Sequence, residues 1–229
     1  MKLKVVFRFA AALTLAAFVL TFSACQSTPR VKEYFIVAPD SPKVEVGTIE
    51  VQFDKLLSLA GIKKETVAVE YYPQEDAVCL QFRIDFYNYS QFWSRDGREA
   101  FVKALENYKA DYEEKNLGKS SRKTKGQYGR VYGYLVWQMF QYTIKASANM
   151  NVEMGYYFKS KAPYFVTNQK EAIYIDSVSR DNNRESPEIM MYFTRAQADE
   201  LAALFDQQFL QGLVSSNFPL SKEPDQEKY

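Results

Sequence analysis

The sequence predicts a single α+β domain, built mainly from an antiparallel sheet with about three helices packed on it. Aromatic residues make up 16% of the 229 residues, and large aromatic side chains suit half-buried pleated surfaces. Residues 77–89 alternate between apolar and polar positions, as a strand with one dry and one wet face does. Two other stretches place apolar residues at helical spacing behind recognisable N-cap residues.

The first residues of the chain differ from this domain. Lys2, Lys4 and Arg8 supply positive charge, and residues 9–22 are then apolar or small apart from two threonines. A charged start followed by a short apolar core is typical of a secretory signal. The sequence therefore predicts a signal peptide over residues 1–24.

This leader ends in Phe22-Ser23-Ala24-Cys25, which is followed by the polar stretch Gln26-Ser27-Thr28-Pro29. The ending resembles a bacterial lipobox, and Phe22, which replaces the commonest leucine, resembles the relaxed lipoboxes of spirochaetal lipoproteins. The resemblance implies cleavage between Ala24 and Cys25, a diacylglycerol on the Cys25 sulfur and acylation of its freed amine. Each buried CH₂ contributes about 0.8 kcal/mol, and two or three chains on one residue give a stable anchor.

Two other interpretations of the leader stay open. An uncleaved transmembrane helix needs about 20 apolar residues, and the uncharged stretch that begins at Phe9 is shorter. A plainly secreted protein would need a small residue where Phe22 stands, because ordinary cleavage follows an A-x-A-like site. The lipoprotein interpretation predicts a lipid-anchored protein of the bacterial cell envelope, facing the periplasm or the cell surface.

The amino-acid composition limits the partners and the active sites that this chain can have. The formal net charge of +1 gives no overall attraction to nucleic acid, so we expect no such partner. The chain contains no histidine, which removes Ser-His and Cys-His triads and histidine-containing zinc sites. With Cys25 lipidated, Cys79 has no intramolecular partner, and its apolar neighbours indicate a small core residue.

Four segments follow from this pattern: the signal peptide (1–24), a lipidated cysteine and tether (25–43), the α+β domain (44–213) and a polar C-terminal tail (214–229). A short strand at 34–37 is expected within the tether.

The first half of the domain combines strands with one or two helices. We expect a strand at 44–48, a helix near 50–60 that ends at Gly61, and strands at 66–72 and 77–89 joined by a turn. Ser94 or Asp96 then caps a helix whose apolar stripe begins at Phe101.

The second half is predicted to contain a basic loop at 119–129 and a long central strand at 130–145, apolar on both faces. Further strands are expected at 152–159, 171–178 and 188–193, with a hairpin loop at 179–187. Thr194 and Gln197 fit a capping box for a last helix that lines its inner face with Leu201, Gln208 and Phe209 and ends at Gly212.

Two groups of residues are candidates for a binding surface. Tyr87, Tyr89 and Trp93 lie near the wet face of the predicted strand, and such side chains offer large contact area at low entropic cost. Lys123 and Lys125 belong to the basic loop, which would suit anionic lipid heads or an acidic polymer. The alternatives are that the aromatic residues are core and that the loop is a solvated connection.

No catalytic residue, metal site or cofactor is predicted. An S-x-x-K match at Ser120 lies in a loop without its companion motifs, and the acidic run from Asp181 lacks the glycine and the final glutamate of a calcium loop. Asp85 with Glu70 or Asp176 would support glycosidase-type chemistry if the carboxyl groups converged.

The sequence therefore favours an envelope lipoprotein whose domain binds or scaffolds other components and is not an enzyme. Its expected partners are the membrane, through the lipid anchor, and an envelope protein, lipid or polysaccharide. Two alternatives are a carrier of an apolar ligand in an aromatic cavity and a carboxylate-dependent hydrolase of envelope polysaccharide.

Overall fold

The computed structural model describes residues 41–54, 62–118, 127–139, 145–159, 161–174 and 184–217. In chain order the elements are β1 (Val44–Asp54), β2 (Ile62–Tyr72), β3 (Ala77–Ile84), β4 (Tyr87–Ser94), α1 (Arg95–Glu113), β5 (Gly129–Met139), β6 (Ala146–Lys159), β7 (Ala162–Gln169), β8 (Ala172–Tyr174), β9 (Arg184–Ser186), β10 (Ile189–Phe193), α2 (Arg195–Leu204) and α3 (Gln207–Asn217). The predicted combination of antiparallel sheet and three helices is thus found within these ranges.

The sheet closes into a barrel, which the sequence did not predict. Its strand order is β1-β10-β7-β6-β5-β4-β3-β2, and every neighbouring pair is antiparallel. The closing pair is short, with Gln52 opposite Tyr192 and Phe53 opposite Met191. Closure satisfies the hydrogen-bonding groups that an open sheet would leave at its edges.

Side chains fill the barrel interior. Phe53, Leu80, Leu135, Phe165 and Phe193 come from five different strands, and each is at most 1% exposed. Eight strands enclose a space just wide enough for such side chains. Those described positions therefore form a packed core.

The hairpin between β3 and β4 corrects the prediction of one strand over 77–89. Ile84 pairs with Tyr87 across a two-residue turn at Asp85 and Phe86, and Asp85 has φ 51°. Aspartate tolerates this left-handed backbone because its short side chain bonds locally. The turn changes which residues face inward from Tyr87 onward.

Helices cover one end of the barrel. The Ser94 side chain accepts from the Gly97 backbone N–H at the start of α1, and Thr194 and Gln197 form the predicted capping box of α2. Both cap predictions are confirmed.

Phe101 of α1 joins the helices to the strands beneath. Its ring lies 5.4 Å from Phe165, 5.2 Å from Phe205 and 6.1 Å from Trp93, each in an edge-to-face arrangement. Such pairs contribute about 0.5–1.5 kcal/mol beyond the burial of their area. Phe101 is fully buried and closes this end of the core.

An ion pair ties α1 to the turn between β2 and β3. The Arg98 guanidinium is 2% exposed and donates to an Asp76 carboxylate oxygen at 2.9 Å and to Gln207 of α3 at 2.5 Å. Tyr71 donates to the same carboxylate oxygen. Burial alone would raise the pKa of Asp76, but the hydrogen bonds from Arg98 and Tyr71 outweigh it and lower that pKa.

The opposite end of the barrel meets the small sheet of β8 and β9. Gln91 of β4 donates to Gln169 of β7 at 2.6 Å, and Gln169 donates to Ser186 of β9 at 3.3 Å. All three side chains are at most 1% exposed. This buried chain of hydrogen bonds fixes β9 against the barrel.

Several predicted elements differ from the structure. β1 runs through Asp54, so residues 50–54 are strand where a helix was expected. The strand predicted over 130–145 is β5, which ends at Met139. β7 was not predicted, and the strand expected over 171–178 is described only as the three-residue β8.

The last predicted helix is two helices. α2 ends at Leu204, and α3 begins at Gln207, where the Asp206 side chain accepts from the Phe209 backbone N–H. Phe209 is 42% exposed, so it does not line the inner face. Gly212 lies inside α3, which continues to Asn217.

Candidate functional site

The structure places the predicted aromatic candidates in the core. Tyr89 and Trp93 are 2% and 1% exposed and belong to the central hydrophobic cluster, against which the half-buried Tyr87 also packs. The turn at Asp85 explains this outcome, since it directs these side chains of β4 inward. They do not form the open surface that the sequence suggested.

The remaining predicted site residues lie outside the described ranges. These are Ala24 and Cys25 of the leader and Lys123 and Lys125 of the basic loop. The strand expected at 34–37 also falls there. Their roles stay predictions.

A different surface stands out on the outer side of β4, β5 and β6. We call it the neutral face because none of its side chains is charged, although charged residues are 25% of the chain. Its members alternate with the buried residues of the same strands and are Asn88, Ser90, Phe92, Tyr132, Tyr134, Val136, Gln138, Ser147, Asn149 and Asn151.

Aromatic rings form a row across this side of the barrel. Tyr72 of β2 meets Phe92 edge-on at 5.5 Å between ring centroids, and Phe92 lies 6.2 Å from Tyr134. Phe92 is shielded at 7% exposure, whereas Tyr132 is 56% exposed. The row thus runs from covered rings to the half-buried Tyr134, which lies two residues along β5 from the exposed Tyr132.

Each of the two tyrosines on β5 faces an asparagine on β6. Tyr132 is directly opposite Asn151, and Tyr134 is directly opposite Asn149. Side chains in such antiparallel pairs have Cβ atoms about 4.5–5.5 Å apart. The neutral face therefore repeats one tyrosine–asparagine pair two residues further along the strands.

Charged residues at one border of the neutral face are paired with each other. Arg130 contacts Glu153 at 2.6 Å, and Lys170 contacts the other oxygen of that carboxylate at 3.0 Å. Burial would raise the pKa of Glu153, but the hydrogen bonds from Lys170 and Arg130 lower it. The carboxylate is consequently held as an anion beside two cations.

At the border of the neutral face toward β2, a charged residue is also paired. Glu70 accepts from Lys43 at 2.6 Å, from Gln81 at 2.5 Å and from the Tyr72 hydroxyl at 3.1 Å. Cys79 lies beside it, fully buried beneath the aromatic row. Burial, followed by the Glu70 charge, raises the pKa of the Cys79 thiol, so the predicted core role of Cys79 agrees with its position.

The carboxylate pairs proposed from the sequence do not converge where they are described. Glu70 is opposite Cys79, and Asp85 lies six residues further along the chain from Cys79, or about 20 Å of extended strand. Asp176 is outside the described ranges. Among the residues described, no three His, Cys, Asp or Glu side chains are grouped to hold a metal ion.

Sequence reasoning missed Tyr132 and Tyr134 as surface residues, because their strand was predicted to be covered on both faces. One signal for an exposed face was present in the partner strand, where Asn149 and Asn151 alternate with apolar residues. To use it, one must know that these asparagines lie opposite the two tyrosines. That register depends on strand pairing, which a single sequence does not give.

Taken together, these features define a capped, closed antiparallel barrel with an uncharged aromatic and amide face. The chain belongs to the family described as an uncharacterised Treponema protein, which it matches over residues 24–212. Treponema is a spirochaete, in agreement with the spirochaetal resemblance of the leader. No curated protein and no solved structure matches the chain. In the described part of the chain, no helix has both the length and the apolar character needed to cross a membrane.

Proposed function

We propose that this protein is a lipid-anchored envelope protein whose barrel is a non-catalytic binding module. The anchor is the acylated Cys25, and the neutral face is the binding surface. The observation that carries the binding role is a 56% exposed Tyr132 within an uncharged outer face.

The leader supports the anchoring half of this proposal. Its basic start, short apolar core and Ser23-Ala24-Cys25 ending together fit a lipoprotein signal. Two or three acyl chains on one residue hold a protein at a membrane without a spanning helix. The location that follows is the cell envelope, with the domain facing the periplasm or the cell surface.

The distribution of burial supports the binding half. Tyrosine is enriched at binding surfaces because one side chain offers both an apolar ring and a hydrogen-bonding hydroxyl. Interior positions such as Phe53 and Leu135 are 0% exposed, so their packing favours an external surface over an internal ligand. A scaffold held rigid by such a core presents its outer side chains in fixed positions.

The chain contains no histidine, and the described carboxylates Glu70 and Glu153 are each engaged in ion pairs. These observations favour a binding role over hydrolysis. We propose no cofactor and no nucleic-acid partner.

Metabolic labelling with an alkyne-bearing palmitate analogue tests the anchor. The wild-type protein should carry the label and sediment with membranes, whereas Cys25→Ser should be unlabelled and released. Cys79→Ser is the matched control and should be labelled and membrane-bound like the wild type. An unlabelled wild-type protein, or a Cys25→Ser variant that keeps the label, contradicts the anchoring proposal.

A further inference from the structure

The chemistry of the neutral face points to a particular class of ligand, and we infer that it binds an uncharged polysaccharide. This inference rests on the proposed binding role and adds the partner to it. Three features of the described residues carry it: the absence of charge, the mixture of rings with amides, and the repeated pair.

Absence of charge disfavours ionic partners. A charged group brought against Asn149 would lose hydration without meeting an opposite charge among the side chains of the neutral face, and this costs free energy. At the border, Arg130 also interacts with the Tyr132 hydroxyl, but Arg130 and Lys170 both contact Glu153, at 2.6 and 3.0 Å, so a carboxylate already balances positive charge there. Electrostatic complementarity therefore selects an uncharged partner.

Amides and phenols fit hydroxyl-rich ligands. An asparagine side chain offers two donors and one acceptor oxygen, and a tyrosine hydroxyl both donates and accepts. The Oδ1 atom of Asn151 is buried and has no hydrogen-bond partner among the described residues, so the amide that is open to a ligand is that of the exposed Asn149. The exposed ring of Tyr132 supplies an apolar surface for the C–H face of a sugar.

The face is too polar to resemble the centre of a protein interface. Its most apolar members are shielded, since Phe92 is 7% exposed and Val136 is half-buried. The exposed members are Tyr132, Asn88 and Asn149. The centre of a protein interface is also poor in charge and rich in tyrosine, but it is about 65% apolar, whereas two of the three exposed side chains of this face are amides.

The repeated pair favours a polymer. Tyr132 with Asn151 and Tyr134 with Asn149 present the same two groups about 6.8 Å apart along the strands. A ligand made of repeating units can occupy both pairs with the same contacts. The face thus presents the same pair of groups twice on a rigid sheet, with Tyr132 the exposed member of one pair and Asn149 the exposed member of the other.

Affinity electrophoresis of the full-length, detergent-purified protein tests this inference. The gels contain dextran, mannan, a β-1,3-glucan or a β-1,4-galactan as neutral probes, and polygalacturonate or heparin as acidic ones. At least one neutral polysaccharide should retard the protein. Tyr132→Ser combined with Tyr134→Ser should weaken this retardation about tenfold or more, as the loss of central binding residues does.

Phe209→Ser is the matched control because Phe209 is an exposed aromatic residue on α3, which packs against β1. It should bind like the wild type. If the double tyrosine variant unfolds at a lower temperature than the wild type, Asn149→Ala takes its place, and it too should weaken the retardation. Retardation by acidic polymers alone, by none of the probes, or equally for all variants overturns the inference.

The outcome separates this inference from the proposed function. A photoreactive residue placed at 132 that captures an envelope protein, with no retardation by neutral polysaccharide, overturns the polysaccharide inference and leaves the binding role. An unlabelled Cys25 overturns the anchor and leaves the polysaccharide result intact.

Discussion

The two outer sides of this barrel have opposite chemistry. The outer side of β1 and β2, which we call the charged wall, presents Glu45, Glu50, Asp54, Lys64 and Glu70. The neutral face on β4, β5 and β6 presents no charge and two tyrosine–asparagine pairs. Both sides enclose the same core, so the fold does not require the difference.

Charged side chains keep a water-facing sheet soluble and are the ordinary choice for it. A patch that omits them across parts of three strands and exposes Tyr132 departs from that pattern. The difference indicates that the neutral face meets a ligand, while the charged wall meets water. The following variants separate what holds the barrel together from what distinguishes its two sides.

The largest effect is expected at Asp76, in the turn between β2 and β3. Asp76→Asn keeps the shape and tolerates φ 49° but leaves the Arg98 charge buried without its carboxylate. The Asp76 side chain is itself 28% exposed, but leaving a buried charge such as Arg98 without its partner costs about 3–5 kcal/mol. Urea denaturation should show this loss, whereas Arg95→Ala, which removes the 48% exposed partner of the same carboxylate, should change the free energy of unfolding by about 0–1 kcal/mol. Equal effects of the two variants would contradict the assignment.

The same carboxylate predicts an acid dependence. The pKa of Asp76 is lowered in the fold from its ordinary value of 3.8. Its contribution to stability is therefore complete above about pH 5, begins to fall near the unfolded pKa and is lost as the pH drops through the folded pKa. The difference in stability between wild type and Asp76→Asn should shrink over that interval in acid titrations. A difference that stays constant to pH 2 would contradict this account.

A smaller effect is expected at Gly133, beneath the neutral face. A Cβ atom there would lie 2.4 Å from the Phe92 backbone oxygen and 2.6 Å from the Met150 methyl carbon. Gly133→Ala should lower the free energy of unfolding by about 1–3 kcal/mol, because β4 and β6 cannot separate freely. A Cβ atom added at Gly212 of α3 would have no atom within 4 Å. Gly212→Ala should therefore raise the free energy of unfolding by about 0.5–1 kcal/mol. Thermal melts of both variants check whether Gly133→Ala lowers stability and Gly212→Ala raises it.

The N-cap of α2 should contribute less to the free energy of unfolding than the close packing at Gly133. Thr194→Ala removes the side chain that accepts from the Gln197 backbone N–H, at a cost of about 1 kcal/mol. Thr194→Ser keeps that acceptor and should melt within a degree or two of the wild type. If both variants lose equal stability, packing of the threonine methyl group and not the cap is responsible.

The smallest effects on stability are expected on the two outer sides themselves. Tyr132→Ser and Glu50→Gln replace exposed residues and should each change the free energy of unfolding by no more than about 0.5 kcal/mol. Their effects on ligand binding should differ, because Tyr132 lies in the neutral face and Glu50 does not. Equal loss of binding in both variants would remove the distinction between the two sides.

Local signals in the sequence predicted the local structure. Ser94, Thr194 and Gln197 act as caps because an N-cap needs only neighbouring residues and a short polar side chain. The strands flanking the turn at 73–76 were found for the same reason.

Features that depend on pairing between distant strands were missed. Nothing near Asp85 marks a tight turn in the way Asn-Gly would, and an unbroken strand without that turn places Tyr89 and Trp93 on the wet face. Barrel closure rests on a short pairing of β1 with β10, between residues far apart in the chain. The exposure of Tyr132 depends on the same long-range arrangement.

Occupancy of the neutral face in the cell tests the central claim most directly. Hydroxyl-radical labelling of intact envelopes and of the detergent-purified protein, read by mass spectrometry, compares Tyr132 with Phe209 in one sample. The account predicts that Tyr132 is oxidised several-fold less in envelopes than after purification, while Phe209 is oxidised equally in both. Equal oxidation of Tyr132 in the two states would contradict the claim that this face binds an envelope component.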